Sequence, residues 1–297
     1  TYILYRGLMR CGANVDTEIP DRIRDGYGIN EHLIDLAWED GVDTILTCDN
    51  GISAADQVEY ANSLGMTVII TDHHEVPEKL PRARAIVNPK QEDCPYPYKG
   101  LCGGALAYKV ISCLYESMEI PQEEAQALIE FAAIATVGDV MDLTGENRIL
   151  VKEGLFRIGK TENPGLRALI QVNGLDPEKI SAYHIGFVLG PCINACGRLD
   201  TAKRALALLL TESDQEAMAL AAELKELNEE RKDMTLKGVE QAVDMIEHSS
   251  LIHDKVLVVF LPDCHESLAG IIAGRVRERY HRPVFVLTRG EEGIKGS

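Results

Sequence analysis

Asp72-His73-His74 places one carboxyl group and two imidazoles in three consecutive positions, directly after the apolar run Met66–Thr71. Asp49 stands in the same relation to the run Thr44–Cys48, within Cys48-Asp49-Asn50-Gly51. Both runs read as buried strands, so these groups fall at the carboxyl ends of parallel strands, where open α/β sheets bind ligands. A third group lies in the segment 133–143, where an apolar helix ends at Gly138 and presents Asp139. A lone Asp after a strand is ordinarily a turn former or helix cap. Adjacent histidines flanked by an Asp are much harder to explain as structure. Carboxylates with imidazole and no thiolate suit Mn²⁺ or Mg²⁺ better than zinc. Two such ions a few ångströms apart would suit phosphodiester hydrolysis, generating hydroxide and stabilising the leaving oxygen.

The elements that position these groups alternate between helix and strand. Thr1–Arg10 predicts a helix with Ile3, Leu4, Leu8 and Met9 on one face, and Val15–Ile19 a short strand closed by Pro20. Asn30 is placed to cap a helix through Trp38, and Ser53 to cap another ending at Gly65. The Pro-rich segment 75–100 predicts a loop around a short strand, Ala85–Asn88, and then helices Gly104–Ser117 and Gln122–Val137. Continuous apolar strands separated by helices mean a parallel sheet covered on both faces. Thr211–His248 predicts one long amphipathic helix with Leu220, Leu224, Leu227, Met234, Val239 and Val243 on its apolar stripe. Beyond it, Lys255–Leu261, Leu268–Tyr280 and Pro283–Thr288 predict a βαβ unit. The expected architecture is α/β: a first domain over 1–210, a bridging helix over 211–250 and the start of a second α/β domain over 251–297.

The bulk numbers narrow the class. At 297 residues, 45% hydrophobic and 26% charged, the chain can build two cores. No apolar run approaches the roughly 18 residues of a membrane span. A net charge of −17 argues against a broad basic nucleic-acid surface, although 11 acidic residues against 4 basic ones sit in 211–248 alone, as on a solvated helix face. Eight scattered cysteines without a CxxC pair read as buried reduced thiols, and the expected compartment is the cytoplasm.

The motifs together resemble the DHH superfamily of phosphoesterases, in its RecJ-type branch. Asp72-His73-His74 is the signature triplet, Cys48-Asp49-Asn50-Gly51 resembles the second motif and Thr136-Val137-Gly138-Asp139 the fourth. Gly190-Pro191-Cys192-Ile193-Asn194-Ala195-Cys196-Gly197-Arg198 resembles the fifth, and Asp263–Arg275 the opening of the associated second domain. Lys295-Gly296-Ser297 is similar to the start of that domain's phosphate loop. The resemblance covers essentially the whole chain. It implies Asp49, His73 and Asp139 as ligands of Mn²⁺ or Mg²⁺, His74 facing the scissile phosphate, and Asp72 orienting an imidazole. It implies Asn194 and Arg198 as holders of phosphate oxygens, and His265 as a substrate contact from the second domain. Without the resemblance, Asn194 could satisfy a turn, Arg198 could pair with a surface carboxylate, and His265 could cap the next helix.

The implied activity is 5′-to-3′ exonucleolytic hydrolysis of single-stranded DNA in repair and recombination. The alternatives are a nanoRNase or cyclic-dinucleotide phosphodiesterase of the same superfamily, and a non-catalytic replication scaffold. Implied partners are single-stranded DNA and a helicase or single-strand-binding protein, with the enzyme itself a monomer. The family's first motif, an aspartate cluster before the first helix, is absent from this sequence. The chain therefore reads as an internal piece of a longer enzyme, expected to be inactive by itself.

Overall fold

The computed structural model describes residues 1–20, 28–199, 202–290 and 293–297, the last two residues of the 190s by backbone only. The chain divides into two compact units, Thr1–Pro191 with Ala202–Ala221, and Cys192–Thr201 with Ala222–Ser297.

In the first unit, helices α1 (Tyr2–Arg10) and α2 (Glu31–Glu39) precede strand β1 (Thr44–Cys48), helix α3 (Ala55–Ser63) and strands β2 (Thr67–Thr71) and β3 (Ala85–Val87). The Asn30 side chain accepts a bond from Leu33 N–H, the local cap that starts α2. The three strands form a parallel sheet in the order β1-β2-β3, with Thr44 opposite Thr67 and Cys48 opposite Thr71. That register brings the ends of β1 and β2 level, so Asp49 and Asp72 leave the sheet side by side. Ile34, Val58, Met66, Val68 and Ile70 bury one core around the sheet. Helices α4 (Gly103–Ser117), α5 (Gln122–Gln126), α6 (Ile129–Gly138) and α7 (Gly145–Ile158) build a second around Leu101, Leu106, Ile129 and Leu150. Helix α8 (Pro164–Val172) comes after them. A short helix α9 (Ala182–His184) then continues as a π-helix, Ile185–Leu189, into α10 (Gly190–Leu199), and α11 (Lys203–Leu210) is next.

Helix α12 (Asp214–Glu247) belongs to both units, the division falling after Ala221. In the second unit, β4 (Leu257–Phe260) and β5 (Val284–Gly290) pair in parallel across helix α13 (Ala269–Tyr280). Strand β6 (Gly293–Gly296) adds antiparallel to β5. Leu257, Val259, Ile272, Val276 and Val286 form the core of this unit.

Several expectations need correction. Val15–Ile19 forms no strand: its alternate residues are half-buried, but no neighbouring strand among the described residues pairs with it. Helix α3 begins after Ala54, without a side-chain cap from Ser53. The helix expected over Gln122–Val137 breaks at Ala127-Leu128, where Leu128 N–H turns to Ala125 O. Neither residue type breaks a helix; the turn sends Leu128 and Ile129 into the core instead. The buried stripe of α12 runs through Ala217, Ala221, Leu224, Asn228, Thr235, Ala242 and Ile246, while Met234 is exposed. Small and polar residues fill it, which a search for large apolar side chains misses. Of the eight free cysteines, only Cys102, Cys192 and Cys196 are buried, and Cys113 is exposed. No helix among the described residues is long and apolar enough to cross a membrane.

Candidate metal centre

Hydrogen bonds at the carboxyl ends of β1 and β2 shape the site. Thr71 Oγ1 donates to Thr47 O at 2.7 Å, and Asp49 N–H donates to Thr71 O at 2.9 Å. Thr47 Oγ1 donates to Asn50 O at 2.7 Å, closing the turn in which Asp49 takes φ +66°. Few non-glycine residues adopt that left-handed conformation; Asp is among the more tolerant. The turn swings the Asp49 carboxylate back over the strand ends toward His73.

Asp72 is buried and its oxygens are committed. Oδ2 accepts from Ile52 N–H at 3.0 Å; Oδ1 accepts from His73 N–H at 2.8 Å and His74 N–H at 3.2 Å, and lies 2.6 Å from His74 Nδ1. Burial pushes its pKa up, but the Ile52 amide, the His74 ring and the two backbone N–H groups together hold it below the ordinary carboxylate range. Asp72 therefore fixes the backbone of the triplet and the ring of His74, while Asn88 Nδ2 donates to His74 O at 3.0 Å from β3's end.

His73 is buried, and its Nε2 lies 3.0 Å from Asp49 Oδ1 and 3.3 Å from Asp139 Oδ2. The separation from Asp49 is a hydrogen-bond distance without hydrogen-bond direction: neither ring nitrogen of His73 has a hydrogen-bond partner among the described residues. The Asp49 carboxylate raises the His73 pKa, outweighing the effect of burial. Asp139 is pushed up by its own burial and by the charge of Asp49, against the pull of His73. Two carboxylates thus converge on one imidazole at an electrostatic cost to each other, an arrangement that a divalent cation relieves. Asp49, His73 and His74 each offer a ligand atom, all within 4.8 Å of one another. The oxygen and imidazole donors fit Mn²⁺ or Mg²⁺, and the orphaned buried Nε2 of His73 is what such an ion would satisfy.

Asp139 is held by the end of α6. It caps the helix with its N–H on Ala135 O at 2.9 Å, and Val140 turns the chain away at φ +56°. Helix α4 sets the spacing between the carboxylates. A Cβ at Gly103 would meet Asp49 Cβ at 2.5 Å, and one at Gly104 would meet Ala135 Cβ at 2.3 Å. The first turn of α4 is therefore wedged between Asp49 and the helix that carries Asp139. Sequence reasoning missed these two glycines, and with them Asn88 and the Ile52 amide. The Gly-Gly pair opening a helix was the visible signal.

The remaining expected residues belong to the second unit. Asn194 is exposed on α10, in the part belonging to the second unit. The side chain of Arg198 lies outside the described residues. His265, in the second unit, caps the turn Glu266–Leu268: its Nδ1 lies 2.7 Å from Ser267 Oγ and accepts from Ser267 N–H at 3.4 Å.

Comparison with known proteins bears on the family and the fold. Residues 1–136 match the model of the DHH family, N-terminal domain. The chain is 40% identical to the single-stranded-DNA-specific exonuclease RecJ of Bacillus subtilis over 299 residues, spanning all of this chain and 37% of that protein. It is 38% identical to the Escherichia coli protein of the same name over 300 residues, 96% of this chain and 52% of that one. The chain thus spans about half, or less, of the curated relatives it matches. A crystal structure of exonuclease RecJ bound to manganese superposes with a TM-score of 0.87 at 34% identity, over 97% of this chain and 71% of that one. The order of motifs, the parallel sheet that presents them and these likenesses agree, and the chain belongs to the RecJ group of the DHH family.

Proposed function

We propose that the protein hydrolyses phosphodiester bonds of single-stranded DNA from the 5′ end, releasing nucleotides, with Mn²⁺ or Mg²⁺ held by Asp49, His73 and Asp139. The observation that carries this reading is the convergence of both carboxylates on His73 Nε2. The names of the relatives, single-stranded-DNA-specific exonucleases, support the substrate. A divalent ion bound there supplies Lewis acidity for the phosphate and lowers the pKa of an attacking water.

The chain's own residues do the rest. Asp49 and Asp139 supply negative charge, and the buried ring of His73 fixes the angle between them. Asp72, through its contact with His74 Nδ1, sets the tautomer and orientation of that imidazole. With Nδ1–H given to Asp72, Nε2 would carry a proton only in the imidazolium form, and in that form it would donate to a phosphate oxygen and stabilise charge as the bond breaks. On the resemblance alone, we assign Asn194 and Arg198 to phosphate oxygens and His265 to the substrate. A cytoplasmic location, a monomeric state, and a helicase or single-strand-binding protein as partner complete the reading.

The test is cleavage of end-labelled oligonucleotides by the complete protein with Mn²⁺ supplied. A 5′-labelled single strand should lose its label first, as mononucleotide, and a blunt duplex should resist. Hydrolysis confined to dinucleotides or cyclic dinucleotides would overturn the reading in favour of those substrates. Metal binding without any hydrolysis would indicate a scaffold.

A further inference from the structure

Tyr183 and Phe187 lie four residues apart on α9 and its π-helical continuation, on the same side of the helix. Their rings stack, with centroids 4.8 Å apart and planes 29° from parallel. Both are open to solvent, Tyr183 63% and Phe187 67% exposed. Two large aromatic side chains held against each other in water forgo the burial that ordinarily places them. The helix has a buried edge available: Ile185 and Leu189, on either side of Phe187, are fully buried. The outward pair is thus a feature of the folded surface rather than a lack of core to enter.

The helix that carries the pair sits on the helix that carries a metal-site carboxylate. Gly186 faces Val137 on the last turn of α6; a Cβ there would be 3.6 Å from Val137 Cγ1. Asp139 is the cap of that same turn. The π-helical turn between the aromatics and α10 is a local irregularity of the type often found beside functional sites. The neighbouring His184 is itself locked, its Nδ1 engaged with Ser181.

We propose that Tyr183 and Phe187 form a stacking platform for a nucleobase of the single strand whose backbone occupies the metal centre. This rests on the reading of the site as a single-strand phosphodiesterase. A flat, pre-stacked aromatic surface matches the face of any base, which is how strands are held without sequence preference. Such a grip suits a chain whose own net charge of −17 leaves little general attraction for a phosphate backbone. Two side chains also offer far less area than a stable protein interface requires.

The experiment uses the complete protein and oligo(dT) strands. Phe187→Trp places a fluorophore in the platform, and its emission should be quenched when a strand binds, with or without turnover. Tyr183→Ala/Phe187→Ala should raise KM roughly 5- to 100-fold with little change in kcat. That penalty should vanish on a strand abasic at the contacted nucleotide. Circular dichroism of the double variant should match the parent. Quenching without DNA cleavage would sink the proposed activity and leave the platform standing; cleavage with no quenching would do the reverse. A blue-shifted emission before any strand is added would mean a protein segment covers the pair, and would overturn the proposal. An unchanged KM in the double variant would also overturn it.

Discussion

The Asp49 carboxylate rests directly on the backbone of Gly103, 54 residues further along the chain. A Cβ at that glycine would come within 2.5–2.7 Å of three Asp49 side-chain atoms. Contacts that short force something to shift, and Asp49 already sits at φ +66° with little freedom to yield. Gly103→Ala is therefore expected to displace the carboxylate from His73. Calorimetric titration should show Mn²⁺ binding weakened by roughly tenfold or more, the scale seen when a ligand loses its supporting shell. Overpacking should cost about 1–3 kcal/mol of stability in urea unfolding. Parental Mn²⁺ affinity in a folded variant would show that Gly103 does not position Asp49.

Asp72 is the hub of the triplet rather than a member of the converging cluster. Asp72→Asn keeps the side chain's shape, removes its charge and turns a donor toward groups that are themselves donors. Charge-assisted bonds of this kind are worth about 1.5–3 kcal/mol, so thermal unfolding should move down accordingly. With His74 no longer oriented, single-turnover cleavage should slow by roughly 10- to 100-fold while Mn²⁺ affinity changes little. Equal losses in both quantities would put Asp72 among the metal ligands instead.

Glu130 gives a pH-dependent signature far from the chemistry. It is 5% exposed, its Oε1 accepts from Thr161 Oγ1 at 2.7 Å, and burial lifts its pKa from 4.5 to about 7. The folded state thus holds a proton more tightly than the unfolded one. Its contribution to stability is present below the unfolded pKa and is lost as pH rises toward 7. The full difference corresponds to roughly 3 kcal/mol above pH 7. Glu130→Gln keeps the acceptor for Thr161 and removes the charge. It should therefore be nearly neutral at pH 5 and stabilising by up to about 3 kcal/mol at pH 8. Urea unfolding at the two pH values checks this, and a variant destabilised at both would refute it.

Metal ligands and substrate holders should separate experimentally. Asp49→Ala in the complete protein should abolish turnover and weaken Mn²⁺ binding, because a hard cation loses a charged ligand. Arg198→Ala should leave Mn²⁺ binding nearly intact and cut catalysis roughly 10- to 100-fold, the value of a forked contact to phosphate. Lysine at that position should recover only part, lacking the planar fork. Mn²⁺ titration beside single-turnover cleavage decides it. Loss of metal binding in Arg198→Ala would reassign the residue.

The sequence by itself determined local matters. Continuous apolar runs, spaced by caps such as Asn30, specify strands β1 and β2 of a parallel sheet, and therefore that Asp49 and Asp72-His73-His74 leave it at the same edge. Asp139 was legible for the same reason: an apolar helix that stops at Gly138 must present the next side chain at its end. The division of labour within the triplet was implied by the family resemblance and was not legible in the residues themselves. Adjacent histidines look alike in a sequence, yet His73 turns into the space between Asp49 and Asp139 while His74 bonds to Asp72, because Asp72 accepts both backbone amides and one ring. The spacing of the carboxylates was equally hidden, since it depends on Gly103 and Gly104 filling gaps beside Asp49 and Ala135. Val15–Ile19 has the alternation of a strand but, among the described residues, no partner to pair with, and the buried stripe of α12 runs through Asn228 and Thr235, which no hydrophobic pattern marks. Periodicity reports which face a residue is on. Only the packed fold decides what that face meets, because those contacts join residues tens of positions apart.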